Sequence, residues 1–79
     1  MRGDITMKNI LEEAMVTYVA ELNKLGNMMN VALYKANNAA FRGDKVNYKK
    51  HADQADAYSH QMTDLINELH QIETAYAAI

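Results

Sequence analysis

The chain contains neither cysteine nor proline among its 79 residues, and it has only three glycines. The absence of cysteine excludes disulfides, thiolate chemistry and cysteine-based metal sites, and it fits a reducing compartment. The absence of proline removes the strongest interruption of a helix, because a proline in a helix interior costs about 3 kcal/mol. The sequence therefore permits long, uninterrupted helices that are held together without covalent links.

Long apolar runs and a large excess of either charge are missing too. No stretch approaches the ~18 consecutive apolar residues of a transmembrane helix. The start of the chain contains the acidic residues Asp4, Glu12 and Glu13 and no continuous apolar segment, which is not the pattern of a secretory signal. A formal net charge of -2 provides no overall attraction to nucleic acid or to an acidic membrane. We expect a cytoplasmic protein without a membrane partner, folded as a single domain over residues 1–79.

Apolar residues recur at alternating spacings of four and three along two segments of the chain. This 3.5-residue period is typical of helices that pack along a coiled-coil seam, and no strand-like alternation interrupts it. It predicts an all-α fold, a long antiparallel αα-hairpin with a first arm at about 6–41, a turn at 42–44 and a second arm at about 45–78. The expected seam residues are Leu11, Met15, Tyr18, Leu22, Leu25, Met29, Ala32, Ala36 and Ala39 in the first arm, and Tyr48, His51, Ala55, Tyr58, Met62, Leu65, Leu69, Ile72, Tyr76 and Ile79 in the second.

Two residues in the middle of the chain predict the turn. Gly43 can adopt the left-handed conformation that closes a helix, because it has no Cβ. Asp44 can then accept hydrogen bonds from the free amides at the start of the next helix. Antiparallel pairing across this turn places Ala32 near Ala55, so we expect the two arms to lie closest together at the turn end.

Gly26 permits a different fold. The segment from Lys24 to Gly26 also resembles the end of a helix, and a break there would produce a three-helix bundle. The seam spacing nevertheless continues from Leu25 to Met29, so the sequence favours one continuous arm, in which Leu25 faces Met62.

A single seam between two helices buries little apolar surface for a chain of this length, so we expect a second contact surface. Nearly every residue of segment 28–34 is apolar, whereas the second arm is polar outside its seam. A helix that is apolar all round is normally buried all round. We expect this surface to join a second copy in a homodimeric four-helix bundle, or to bind another protein. The expected partner-binding residues are Met28, Val31, Leu33, Tyr34 and Phe41.

Basic residues cluster around the turn, whereas residues 51–79 contain no lysine or arginine. Such a cluster beside aromatic residues could contact phosphates and stack on bases, so a dimeric RNA- or DNA-binding regulator is an alternative function. The simpler interpretation is that these side chains are solvated and suit the end of a helix. The basic turn consists of Lys35, Arg42, Lys45, Lys49 and Lys50.

His51 is the one polar residue at an expected seam position, opposite Ala36. We interpret it either as a hydrogen-bonded core histidine or as a pH-sensitive residue whose protonation loosens the turn end. Asp56, His60 and Asp64 share one helix face, but their pattern is that of a solvated stripe rather than a metal site. The sequence contains no nucleophile–base arrangement, no phosphate-binding loop and no paired carboxylates on the seam. We therefore expect no catalysis, no metal and no cofactor.

No motif assigns the chain to a family. The turn at residues 41–43 stands where WXG-type secreted hairpins have Trp-x-Gly, but it lacks the tryptophan. By analogy with other small acidic helical proteins, we predict a non-catalytic regulator, adaptor or inhibitor, such as a phage- or mobile-element-encoded inhibitor of a host protein. The expected partners are a second copy of the chain and another protein. A structural or secreted assembly subunit is the remaining alternative.

Overall fold

A computed structural model describes the backbone from Arg2 to Ile79 and the side chains from Thr6 onward. It contains two helices, α1 at Arg2–Phe41 and α2 at Lys45–Ala77, which pack against each other as a hairpin. The predicted all-helical hairpin is confirmed, although α1 begins four residues earlier than expected. Within the described part of the chain, neither helix has a stretch long and apolar enough to cross a membrane.

The first helix continues through Gly26 without a break, so the three-helix alternative is wrong. A Cβ added to Gly26 would lie 3.7 Å from Cε of Met62 on α2, an ordinary van der Waals distance. The neighbouring Leu25 is buried against α2. One glycine costs a helix about 1 kcal/mol, whereas burying a leucine side chain contributes about 1.5–3 kcal/mol. The packing of the seam therefore outweighs the conformational cost of the glycine.

The turn has the hydrogen bonds that its sequence predicts. Gly43 has a φ of 72°, the left-handed conformation. The amide of Asp44 donates to the carbonyl of Ala39 at 2.8 Å, and the amide of Gly43 donates to the carbonyl of Ala40 at 3.0 Å. This pair of bonds is the Schellman motif that ends a helix. The carboxylate of Asp44 accepts a hydrogen bond from the amide of Asn47 at 3.1 Å and so caps α2.

The contact between the helices is thin and has its smallest side chains near the turn. Gly26 faces Met62, and the Tyr76 hydroxyl donates to Glu12, so both contacts agree with the expected register to within one residue. The expected seam residues are buried or partly buried, with two exceptions that are exposed, Tyr48 and Ile79. Among the described side chains the buried core is Leu25, Ala32, Ala36, Ala39 and Ala55.

The hairpin is elongated, with extents of 62 × 15 × 12 Å. Its radius of gyration is 17.9 Å, whereas a compact domain of this length has about 12 Å. Its accessible surface is 6010 Å², whereas a compact monomer of 8.9 kDa exposes about 4,800 Å². A single chain therefore leaves about 1,200 Å² more surface in water than a compact fold of the same mass.

Candidate protein-binding surface

The five residues predicted to bind a partner are all exposed in the single chain, and the structure separates them into two sets. Met28 and Val31 line a groove between the helices. Leu33, Tyr34 and Phe41 are not among the residues that line it. Phe41 is 95% exposed and Tyr34 is 68% exposed, which is unusual for aromatic side chains of a folded protein.

Exposure of large apolar side chains is concentrated on α1. Among the described side chains, α1 has nine such residues and α2 has three. The asymmetry that the sequence predicts between the two arms is therefore present in the folded hairpin. The nine on α1 are Met7, Ile10, Val16, Val19, Met28, Val31, Leu33, Tyr34 and Phe41, and the three on α2 are Val46, Tyr48 and Ile66.

One side of α1 has no charged residue from position 16 to position 41. Residues seven apart on this helix form a line parallel to the seam, because the seam itself repeats every seven residues. α1 has seven such lines, and the seam occupies two of them. Among the other five, three adjacent lines have no charged residue between positions 16 and 41, and the remaining two contain Glu21, Lys24 and Lys35. We name the uncharged lines the charge-free face, which consists of Val16, Val19, Ala20, Asn23, Gly26, Asn27, Asn30, Leu33, Tyr34, Asn37, Ala40 and Phe41.

The charge-free face has the composition of a protein contact surface. It spans about 38 Å at 1.5 Å per residue. Its middle contains Gly26 and asparagines, and its larger apolar side chains lie toward the two ends. Depletion of charged residues is what distinguishes the core of an interface from ordinary protein surface. Leu33, Tyr34 and Phe41 of this face were predicted from their apolar character. The asparagines were not predicted, because they are recognised only by the positions of the three charged residues between positions 16 and 41.

The second helix extends the charge-free face across the seam. An open pocket of about 230 Å³ beside the turn is lined by Ala40, the last residue of one charge-free line, together with Lys45 of α2. Ala52, Ser59 and Ile66 follow Lys45 at seven-residue intervals, so they lie on the same side of the hairpin as Ala40. Between the charged residues Lys45 and Glu73 of this line, α2 therefore adds uncharged residues to the same side.

The opposite side of the hairpin contains Glu21, Lys24 and Lys35, the charged residues of α1 between positions 16 and 41. A groove of about 360 Å³ opens there between the helices. It is lined by Asn27, Met28, Val31, Ala32 and Lys35 of α1 together with Gln54 and Tyr58 of α2. The groove combines the apolar side chains of Met28 and Val31 with one cation. The groove borders the charge-free face at Asn27 and differs from it in containing a cation.

The five basic turn residues are all exposed, but they do not form one cluster. Lys35 lines the groove between the helices, whereas Lys45 lines the pocket on the other side. Nζ of Lys49 lies 3.1 Å from Oδ2 of Asp53, an ion pair between exposed side chains that adds little stability. The structure thus divides the basic residues between two sides of the turn.

Asp44 connects the turn electrostatically to His51. Hydrogen bonds from the side chain and backbone of Asn47 lower the pKa of Asp44, and the nearby charges of Arg42 and His51 lower it further. His51 is partly buried, and its Nδ1 lies 3.0 Å from Oε1 of Gln54. A pH-sensitive role for His51 stays a prediction.

The stripe of acidic and histidine residues on α2 is solvated. Nε2 of His60 lies 3.7 Å from Oδ1 of Asp56, and both side chains are exposed. Among the described residues, no group of three or more histidine, aspartate or glutamate side chains could hold a metal ion.

Two tyrosines connect the helices toward the open end, where the chain termini lie. The Tyr76 hydroxyl donates to Oε1 of Glu12 at 2.7 Å, and Nζ of Lys8 lies 5.3 Å from the centre of the Tyr76 ring. Hydrogen bonding to Glu68 raises the pKa of Tyr18, and hydrogen bonding to Glu12 raises the pKa of Tyr76. Both bonds need the phenolic proton, which is why the neutral form is favoured. The seam positions of both tyrosines follow from the sequence, whereas their carboxylate partners do not.

We predict that these tyrosines make the hairpin less stable at alkaline pH. A raised pKa means that the folded state holds the proton more tightly than the unfolded state does. Their contribution is therefore complete below the ordinary tyrosine pKa of about 10 and is lost as the pH rises through the raised values. Urea unfolding should be followed from neutral pH to about pH 11. The free energy of unfolding should decrease less with rising pH for Tyr76→Phe than for wild type.

Tyr58→Phe is the matched control, because it removes a hydroxyl from a seam tyrosine that lines the groove and has no hydrogen bond to a carboxylate in the described structure. Its alkaline loss should equal that of wild type. If Tyr76→Phe and Tyr58→Phe behave alike, the bond between Tyr76 and Glu12 does not contribute to stability.

Comparison of the chain with protein-family models, with curated proteins and with solved structures finds no match in any of the three.

Proposed function

We propose that this chain is a non-catalytic protein-binding protein, a regulator, adaptor or inhibitor, that acts through the charge-free face of α1. The observation that carries the proposal is a surface about 38 Å long that contains no charge and ends in the exposed ring of Phe41. Burying such a ring contributes about 1.5–3 kcal/mol, which offsets part of the entropic cost of association with another chain. A surface without charged residues is typical of the core of an interaction site.

The first partner of this face is a second copy of the chain, and the product is a four-helix bundle. A helix in a bundle is apolar along its seam and along one flanking line, and α1 has such a line in Val19, Gly26, Leu33 and Ala40. A stable interface buries about 800 Å² on each partner. The surplus of about 1,200 Å² that the single hairpin exposes is enough to supply that area.

The bundle would leave the groove between the helices open for a different protein. Met28 and Val31 offer apolar contact there, and Lys35 offers one positive charge. This chemistry suits a partner segment that presents an apolar side chain beside a carboxylate. The regulatory role would then belong to the groove, and the charge-free face would provide the dimer that displays it.

Sedimentation equilibrium across a concentration series tests the proposal. We expect wild type to approach twice the 8.9 kDa mass of the chain. Leu33→Lys/Tyr34→Lys should be monomeric, because it places two charges within the buried contact. Val31→Lys is the matched control, since it adds the same side chain to an exposed apolar position outside the charge-free face, and it should remain dimeric. Circular dichroism of both variants and of wild type checks that the helices are retained.

The other outcomes discriminate among the alternatives. A monomeric wild type, or a double variant that stays dimeric, would contradict self-association through this face. Masses that keep increasing with concentration would instead support an assembly subunit.

Nucleic-acid binding is the second candidate function, because exposed Arg42 and Lys45 stand beside the exposed ring of Phe41 at the turn. RNA or DNA binding that persists at about 200 mM salt and is lost in Lys45→Glu/Lys49→Glu would favour it.

A further inference from the structure

Charge is distributed unevenly along the length of the hairpin. The turn half, residues 35–54, contains five basic residues and two acidic ones. The open half, residues 6–24 and 60–79, contains two basic residues and six acidic ones. The two helices pair in antiparallel orientation about the turn at Gly43, so the residues of each half lie together in the folded hairpin. The molecule is therefore positive at the turn and negative at the open end.

The charge-free face also differs between its two ends. At the turn end it presents the aromatic rings of Tyr34 and Phe41, and toward the open end it presents the smaller Val16 and Val19. Its middle is small and polar, with Gly26 among the asparagines. The face thus offers large side chains at one end, small ones at the other and a centre where two backbones can approach closely.

We propose that two copies pack antiparallel through their charge-free faces, with the turn of one beside the open half of the other. This inference rests on the proposed self-association and specifies its geometry. The antiparallel arrangement places Tyr34 and Phe41 of one copy against Val16 and Val19 of the other, around a two-fold axis near segment 26–30. A two-fold axis makes the contact isologous, so the dimer closes and does not polymerise.

Electrostatics favours this orientation over the parallel one. In the antiparallel dimer the five basic residues of one turn lie beside the six acidic residues of the opposite open half. In a parallel dimer the two positive turns and the two negative open halves lie side by side, and like charges across an interface oppose association. Size complementarity acts in the same direction, because parallel packing would place Phe41 against Phe41. Charge and shape therefore select one orientation.

Single-cysteine variants can distinguish the orientations, because the chain has no cysteine of its own. We would treat Val16→Cys, Asn30→Cys, Asn37→Cys and the equimolar mixture of Val16→Cys with Asn37→Cys with a short bismaleimide. In the antiparallel dimer, Asn30→Cys links to itself, because it lies near the two-fold axis. Val16→Cys and Asn37→Cys should link to each other in the mixture and not to themselves, since each lies more than about 20 Å along the axis from its own copy.

Asn38→Cys is the matched control, because it changes the residue next to Asn37 that lies outside the charge-free face. It should link in none of the samples. Self-linking of both Val16→Cys and Asn37→Cys would overturn the antiparallel arrangement and leave the proposed dimer intact. A dimeric mass without links at any of the three face positions would place the contact on another surface. A monomeric mass for each variant and for wild type would contradict the self-association itself.

Discussion

Leu25→Ala should lower the free energy of unfolding by about 2–3 kcal/mol. Leu25 is the largest side chain in the buried core and is 5% exposed, whereas the other buried residues are alanines. Removing three carbon atoms there loses transfer free energy and leaves a void between α1 and α2. We place the loss toward the lower end of the range for buried leucines, because the thin contact between two helices can partly close around the void.

Thermal and urea unfolding at one fixed protein concentration would measure this change, since association would otherwise alter the apparent stability. A loss of this size corresponds to a fall in Tm of about 10–20 °C for a chain of 79 residues. Leu25→Met is the matched control, because it nearly conserves volume and should cost less than about 1.5 kcal/mol. If Leu25→Ala and Leu25→Met lose the same stability, the volume at this position is not what stabilises the hairpin.

Ala55→Leu should destabilise the hairpin by about 1–3 kcal/mol through overpacking. Ala55 is the one buried residue that α2 contributes to the core and is 5% exposed, and the expected register places it opposite the buried Ala32. Two alanines at this point allow the backbones to approach closely. A leucine must therefore separate the helices or adopt a strained rotamer.

Ala57→Leu is the matched comparison, because it makes the same substitution two residues away on the exposed side of α2. Both changes have the same effect on intrinsic helix propensity, so their difference isolates the packing between the helices. Ala57→Leu should change the free energy of unfolding by no more than about 0.5 kcal/mol. Equal effects of the two substitutions in urea unfolding would show that the helices do not pack closely at Ala55.

Most of the fold follows from local features of the sequence. The seven-residue repeat predicts two helices and identifies which residues form their seam, because apolar side chains must share one face to be buried together. Gly43 and Asp44 locate the turn, since the conformation of one and the hydrogen bonds of the other depend on neighbours within five residues. The register follows as well, because a short turn leaves two antiparallel helices little freedom to slide.

Features that depend on residues far apart in the chain could not be predicted from the sequence. The carboxylate partner of Tyr76 is 64 residues away in the chain, and a periodic pattern does not specify which charged residue flanks the seam. The sequence also could not divide the five predicted partner-binding residues into two sets. The groove that contains Met28 and Val31 is formed by side chains of both helices, so it exists only in the packed hairpin.

The sequence alone determined that this protein is a helical hairpin with an apolar first arm, because periodicity, turn residues and the absence of proline act locally. Tertiary structure decided the outcome at Gly26, where a helix end and a helix interior are close in local free energy. Packing of Leu25 and Met62 on the two sides of the seam selected the continuous helix. The packing of the helices also decided which residues of α1 lie on the same side of the hairpin as Ala52, Ser59 and Ile66 of α2. Only the pairing of the two helices determines which of their outer residues are neighbours.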